Sequence, residues 1–251
     1  MTVEEDIYDK FIPAVTQTNS CRLSIRNKRF HKVVNREEET LSQEGLKIVI
    51  VKTSCISRAY YAQSYGDGKS TIPACWCANC KTGVPSPNVL ASNKQNPHCF
   101  DCKQNIKGSG KGSSLACSFR HRLGVALLDE NGTLDGSNVF RLDIPANSIF
   151  PKDSKKMSLR TYAQVLNTNK TPVASIVTEL QFDSAVDIPK LIFKPLRALE
   201  RKELETVYQL QNDPDIKELV NFDFKPKANT PINTDNIFDV VQGEGVYTKE
   251  T

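Results

Sequence analysis

The feature that most constrains this chain is a stretch of about fifty residues, 66–116, with neither helical nor strand periodicity in its apolar positions. It is rich in Gly, Pro, Ser and Asn, and a segment of that length inside a compact domain needs something to order it. Six of the eight cysteines fall in or beside it, namely Cys75, Cys77, Cys80, Cys99, Cys102 and Cys117, while Cys21 and Cys55 stand apart. In a reducing compartment clustered thiols point to metal before disulfide. A bound metal also supplies, through ligand bonds, the cohesion that a missing apolar core does not.

The compartment is read from what surrounds this stretch. The longest apolar run is LKIVIV, Leu46–Val51, far short of the ~18–20 residues a membrane span needs. The first residues, MTVEED, are acidic and lack the apolar core of a secretory signal. A protein of the cytoplasm is expected, with no membrane partner.

Charge is unevenly spread. The net charge is only +4, yet residues 68–128 carry eight Lys/Arg and the single acid Asp101, a net of +7 that leaves −3 for the rest. A second basic cluster holds Arg22, Arg26, Lys28, Arg29, Lys32 and Arg36. Clustered positive charge suits a polyanion.

Three chemistries compete for CFDCKQNIKGSGKGSSLAC, Cys99–Cys117. A phosphate-binding P-loop needs G-x-x-x-x-G-K-[ST] between a strand and a helix. Here Gly110-Lys111 is followed by Gly112, and Asn105 stands where the first Gly belongs. A redox dithiol at Cys99 and Cys102 should open a helix after a strand, and the Pro/Asn-rich context does not offer one. Tetrahedral zinc needs four thiolates or imidazoles, commonly from two short ligand pairs. Two sets satisfy that. Cys77-x2-Cys80 with Cys99-x2-Cys102 has the spacing of a zinc ribbon. Cys75, Cys99, Cys102 and Cys117 close the loop across its whole length. His98 and His121 are weaker donors.

The flanking segments read as strands and short helices. Phe30–Val34 is a short strand before the charged turn NREEET. LKIVIVKTSCISRAYYAQSY reads as one long strand, RLGVALL and NVFRLDIP as two more. MSLRTYAQVLN is a helix capped by Ser158, with Leu159, Tyr162, Val165 and Leu166 on one face. PVASIVTELQFD and PKLIFKPLRAL form a final hairpin. A helix spans about 200–211, with a turn near 216–220. Three strands, a helix and two strands is the order of an OB barrel. The expected fold is therefore mainly β (α+β): an OB-like barrel with a cysteine-rich, zinc-binding insertion at about 66–120 between its first two strands, and a C-terminal helix. Residues 1–20 read as a flexible arm, 21–222 as the domain and 223–251 as a mobile tail.

The stretch AYYAQSYGDGKSTIPACW, together with HCFDCKQNIKGSGKGSSLACSFRHRLGVALL, resembles a family of phage single-stranded DNA-binding proteins. IPANSIF, ASIVTELQFD and PKLIFKPLR are similar to the same family's later strands, so the likeness covers roughly residues 46–200. It implies a zinc site at Cys75, Cys99, Cys102 and Cys117; Cys77 and Cys80 are additional here. It also implies a non-enzymatic protein that coats single-stranded DNA during phage replication or recombination, inside the host cytoplasm.

The residues agree with that implication. Single strands are held by a basic groove and by aromatic rings on which bases stack. Tyr60, Tyr61, Tyr65, Trp76, Phe100 and Phe119 alternate in sequence with Arg58, Lys69, Lys103, Arg120 and Arg122. Phe119 and Tyr61 are as readily core as surface. Lys107 and Lys111 sit in a Gly/Ser loop whose backbone can approach phosphate closely. The expected nucleic-acid contacts are Arg58, Tyr60, Tyr61, Tyr65, Lys69, Trp76, Lys103, Lys107, Lys111, Phe119, Arg120 and Arg122. Four acids in the tail, Asp235, Asp239, Glu244 and Glu250, lie among apolar residues and suit recruitment of phage replication proteins. The alternative is a zinc-ribbon regulator of RNA polymerase or duplex DNA. No catalytic constellation stands out.

Overall fold

The computed structural model describes residues 21–41, 45–62, 72–150 and 156–224. Ten strands form one sheet: β1 (Arg22–Arg26), β2 (Arg29–Val34), β3 (Glu37–Leu41), β4 (Gly45–Thr53), β5 (Ser57–Tyr60), β6 (Cys75–Cys77), β7 (Cys117–Leu128), β8 (Leu134–Pro145), β9 (Ile176–Phe182) and β10 (Leu191–Ala198). Among the described residues four α-helices accompany them: α1 (Ala146–Ile149), α2 (Leu159–Thr168), α3 (Arg201–Asn212) and α4 (Pro214–Leu219).

The main path runs β10-β9-β4-β7-β8-β1-β2-β3, with β5 bridging β6 and β7. From β10 to β8 every neighbour is antiparallel. This curled half-barrel is compatible with the expected OB-like arrangement, α2 lying between its third and fourth strands. The far edge of β8 is taken by β1, in parallel, so the N-terminal meander extends the sheet.

The run Ile48-Val49-Ile50-Val51 is apolar throughout because β4 is covered on both faces. Ile48 and Ile50 enter the main core with Leu123, Val125, Phe140, Leu142 and Tyr162. Val49 meets Val207 of α3, and Val51 meets Ile216 of α4. Each such side chain contributes roughly 1.5–3 kcal/mol on burial. Ser158 caps α2, its hydroxyl accepting from the Thr161 amide at 3.3 Å. Leu159, Tyr162 and Leu166 are buried as the helical pattern requires, whereas Val165 stays exposed.

Two local expectations need correction, and one strand lies where none was assigned. The long strand breaks at Ser54–Ile56 into β4 and β5, since Ser54 bonds to Arg122 with both its amide and its hydroxyl. NREEET is not all turn: only Asn35 and Arg36 take positive φ, and Glu37–Leu41 forms β3. Arg22–Arg26 is a strand as well, joined to β2 through Asn27 and Lys28, also at positive φ. Two-residue loops of this kind match the twist of a hairpin. The charges along these strands are compatible with a sheet because Glu38 pairs with Arg26 and His31, and Glu39 with Lys32.

At the other end, Asp223 and Phe224 are packed against Trp76. Among the described residues no helix is long and apolar enough to cross a membrane. The tail acids lie outside the described residues.

Candidate metal and nucleic-acid site

The cysteine-rich segment leaves the sheet after β5 and returns at β7. Between them β6 pairs with β5, placing Cys75 opposite Tyr60 and Cys77 opposite Arg58. β7 places Cys117 opposite Tyr60 and Phe119 opposite Arg58. Paired positions, and positions two apart, share a sheet face, so Cys75, Cys77 and Cys117 project together with Arg58 and Tyr60. Trp76 projects the opposite way.

Cys99 and Cys102 approach this face from the loop. Cys75, Cys77, Cys99, Cys102 and Cys117 line one small cavity, and the thiols of Cys80 and Cys99 hydrogen-bond to Cys77. All six cysteines between residues 75 and 117 therefore converge, and both sequence-derived ligand sets lie in one cluster. Cys55 is exposed and Cys21 is buried in the barrel core.

The bond from Cys80 brings the Cys77 thiol down to about 6. Burial pushes Cys99 up to about 12 and Cys117 to about 11. Among the described residues no three His, Cys, Asp or Glu side chains stand in coordination geometry. The fit to a metal rests on the donors themselves: soft sulfurs, three buried and three half-buried, the chemistry zinc takes in closed structural sites. His98 is exposed on the loop. His121 lies on β7, four residues beyond Cys117.

The segment 221–224 crosses the opposite face of β6. The Asp223 carboxylate accepts from Trp76 Nε1 at 2.9 Å, Ser86 Oγ at 2.6 Å and Asn88 Nδ2 at 3.0 Å. The Phe224 ring meets Trp76 edge-on, centroids 5.3 Å apart, and Phe222 at 5.2 Å. Arg122 lies 4.8 Å from the Phe222 ring and donates to the Asn221 carbonyl and to Asp143.

These contacts redistribute the expected nucleic-acid residues. Lys103, Lys107 and Lys111 are exposed on the loop, and Tyr61 is 37% exposed. Tyr60 and Arg120 are half-buried. Trp76, Arg58 and Arg122 are buried at 5%, 5% and 7% exposure. Trp76 and Arg122 are held by segment 221–224, and Arg58 is enclosed beneath Phe119. In this conformation none of the three offers a free face to a ligand. Phe119 packs edge-on against Phe150 and supports the barrel. Tyr65 and Lys69 lie outside the described residues.

Two features add to the expected contacts, Phe100 having been named among the aromatics but not as a contact. Phe100, between the paired cysteines, is 74% exposed and lies over Gly83, where a Cβ would come within 2.5 Å of the ring. The residues between two closely spaced ligands form the tip of a turn, and that spacing was the available clue. The second feature is a row of arginines. Arg22 of β1 pairs in register with Arg141 of β8, and Arg122 of β7 with Asp143 of β8. Arg122 and Arg141 share Asp143 at 2.8 and 3.5 Å. Burial depresses the Arg141 pKa; Asp143 opposes that, and Arg122 and Arg22 add to it. Tyr61 stands within electrostatic reach of Arg141. Only the pairing of distant strands brings these groups together. No protein-family model, curated protein or solved structure matches this chain.

Proposed function

We propose that this is a non-enzymatic single-stranded DNA-binding protein whose cysteine-rich insertion is ordered by zinc. The observation that carries the reading is the arginine row: buried Arg122 and half-buried Arg141 share the Asp143 carboxylate, while exposed Arg22 pairs in register with Arg141 and Tyr61 stands within electrostatic reach of it. A face with surplus fixed positive charge and an accessible ring suits a phosphate backbone with a stacked base. Lys103, Lys107, Lys111 and Phe100 on the insertion offer the same combination a short way off in sequence.

Zinc bound by four of the six converging thiols would tie β6, the Cys99–Cys102 turn and β7 together, in place of an apolar core. Cys75, Cys99, Cys102 and Cys117 are the set implied by the resemblance to phage single-stranded DNA-binding proteins. A coating role in phage replication or recombination, in the host cytoplasm, is part of the same reading.

Fluorescence anisotropy with labelled single-stranded DNA, duplex DNA and RNA of equal length, over a salt series, tests it. The expected result is preferential binding of the single strand, with a log–log salt slope of about −0.7 per phosphate neutralised. Equal weak binding to all three would reject it.

A further inference from the structure

Arg58 sits in the middle strand of the β6-β5-β7 ribbon, opposite Cys77 on one side and Phe119 on the other. Its guanidinium carbon stands 4.1 Å from the centre of the Phe119 ring. One terminal nitrogen donates to Asn105 Oδ1, and Nε, closed off from solvent, has no hydrogen-bond partner. Among the described residues no carboxylate pairs with Arg58. A buried guanidinium without an anion is unfavourable by several kcal/mol unless some other group supplies the negative charge, on the order of the cost of any unpaired buried ion.

The groups that face it are sulfurs. Arg58 lies within charge–charge reach of Cys80 and Cys117, and Cys77 is its direct neighbour across the ribbon. Asn105, which it holds, donates Nδ2 to the Cys99 carbonyl at 3.0 Å. The guanidinium is thus tied to both sides of the cysteine cluster: by charge to the sulfurs near the ribbon, and by hydrogen bonds to the turn carrying Cys99 and Cys102.

We propose that Arg58 is the internal counter-charge and positioning residue of the cysteine centre, not a nucleic-acid contact. This rests on the metal reading above. Four thiolates around one divalent zinc carry a net −2, and a fixed cation beside them offsets part of it. Asn105 transmits the position of the guanidinium to the loop ligands, as outer-shell partners do at other metal sites.

The test uses the full chain as wild type, R58M, R58K and N105A, each loaded with zinc and competed with a chromogenic chelator at fixed pH. R58M should hold the metal about tenfold to a hundredfold more weakly. R58K, which keeps the charge, should recover part of that loss, and N105A should show a smaller loss with the charge intact. The single-stranded DNA salt slope of R58M should match wild type. Metal affinity unchanged in R58M would overturn the proposal, as would a slope lower by about 0.7, which marks a lost phosphate contact. Should R58M fail to fold, R58K and N105A decide: wild-type affinity in both rejects the role. A wild-type chain that takes up no zinc rejects the metal reading itself, and this inference with it.

Discussion

At the scale of single residues, Asp183 is the clearest charged anchor. It is 1% exposed and accepts from Lys156, from Lys190 at 2.9 Å and from the Ala185 amide at 3.0 Å. The bond from Lys156, then that from Lys190, holds its carboxyl well below the usual carboxylate range. A depressed carboxylate stabilises the fold above its unfolded pKa of about 3.9 and loses that contribution as pH falls below it. D183A should cost on the order of 2–3 kcal/mol at neutral pH, read from urea midpoints, and the difference from wild type should shrink in acid. His121 has the opposite chemistry and the same sign. Burial lowers its pKa, so the unfolded chain binds the extra proton first, and stability falls as pH drops below about 6.5. H121Q should flatten the fall in melting temperature between pH 7.5 and 5.5; an unchanged profile would show that another group titrates there.

At the scale of elements, segment 221–224 acts as a strap across the insertion. The chain has one tryptophan, and Trp76 is the residue the strap covers. Its emission should be blue-shifted and resistant to iodide quenching. F224A together with D223A should shift it red and raise quenching, without unfolding the barrel as judged by far-UV circular dichroism. Unmoved emission would mean that the strap does not shield the indole. Elements of this kind also mark what the sequence could reveal. The strands of the half-barrel were legible because one or both faces are apolar, and α2 because its cap and its buried stripe agree. β1 and β3 were not, since their stability comes from ion pairs with β2 and from the parallel seam with β8. That four of these thiols would cluster was expected from spacing. The burial of Trp76 and Arg122 was not, because the covering residues lie far along the chain. Gly124 belongs to the same long-range design: a Cβ there would meet Val220 Cγ1 at 3.2 Å and Val139 Cγ1 at 3.3 Å. Its bare backbone lets the end of α4 lie close on β7.

At the scale of the whole molecule, positive charge is divided between the arginine row on the sheet and the lysines on the insertion. If one strand of DNA engages both, R22E and K107E should each reduce the salt slope by about 0.7, and their effects should add. An effect confined to R22E would leave the insertion out of the path. Both variants alter exposed side chains, so melting temperature and zinc content should stay at wild-type values.

The strap bond between Trp76 and Asp223 joins residues 147 positions apart. A ribosome adding ~5–20 residues per second needs roughly 7–30 s to travel that distance. The last thiol of the insertion, Cys117, is made 41 residues after Trp76, so for most of that interval all six thiols exist while the segment that covers the far side does not. If the thiols take zinc as proposed, capture by the nascent chain can therefore precede closure.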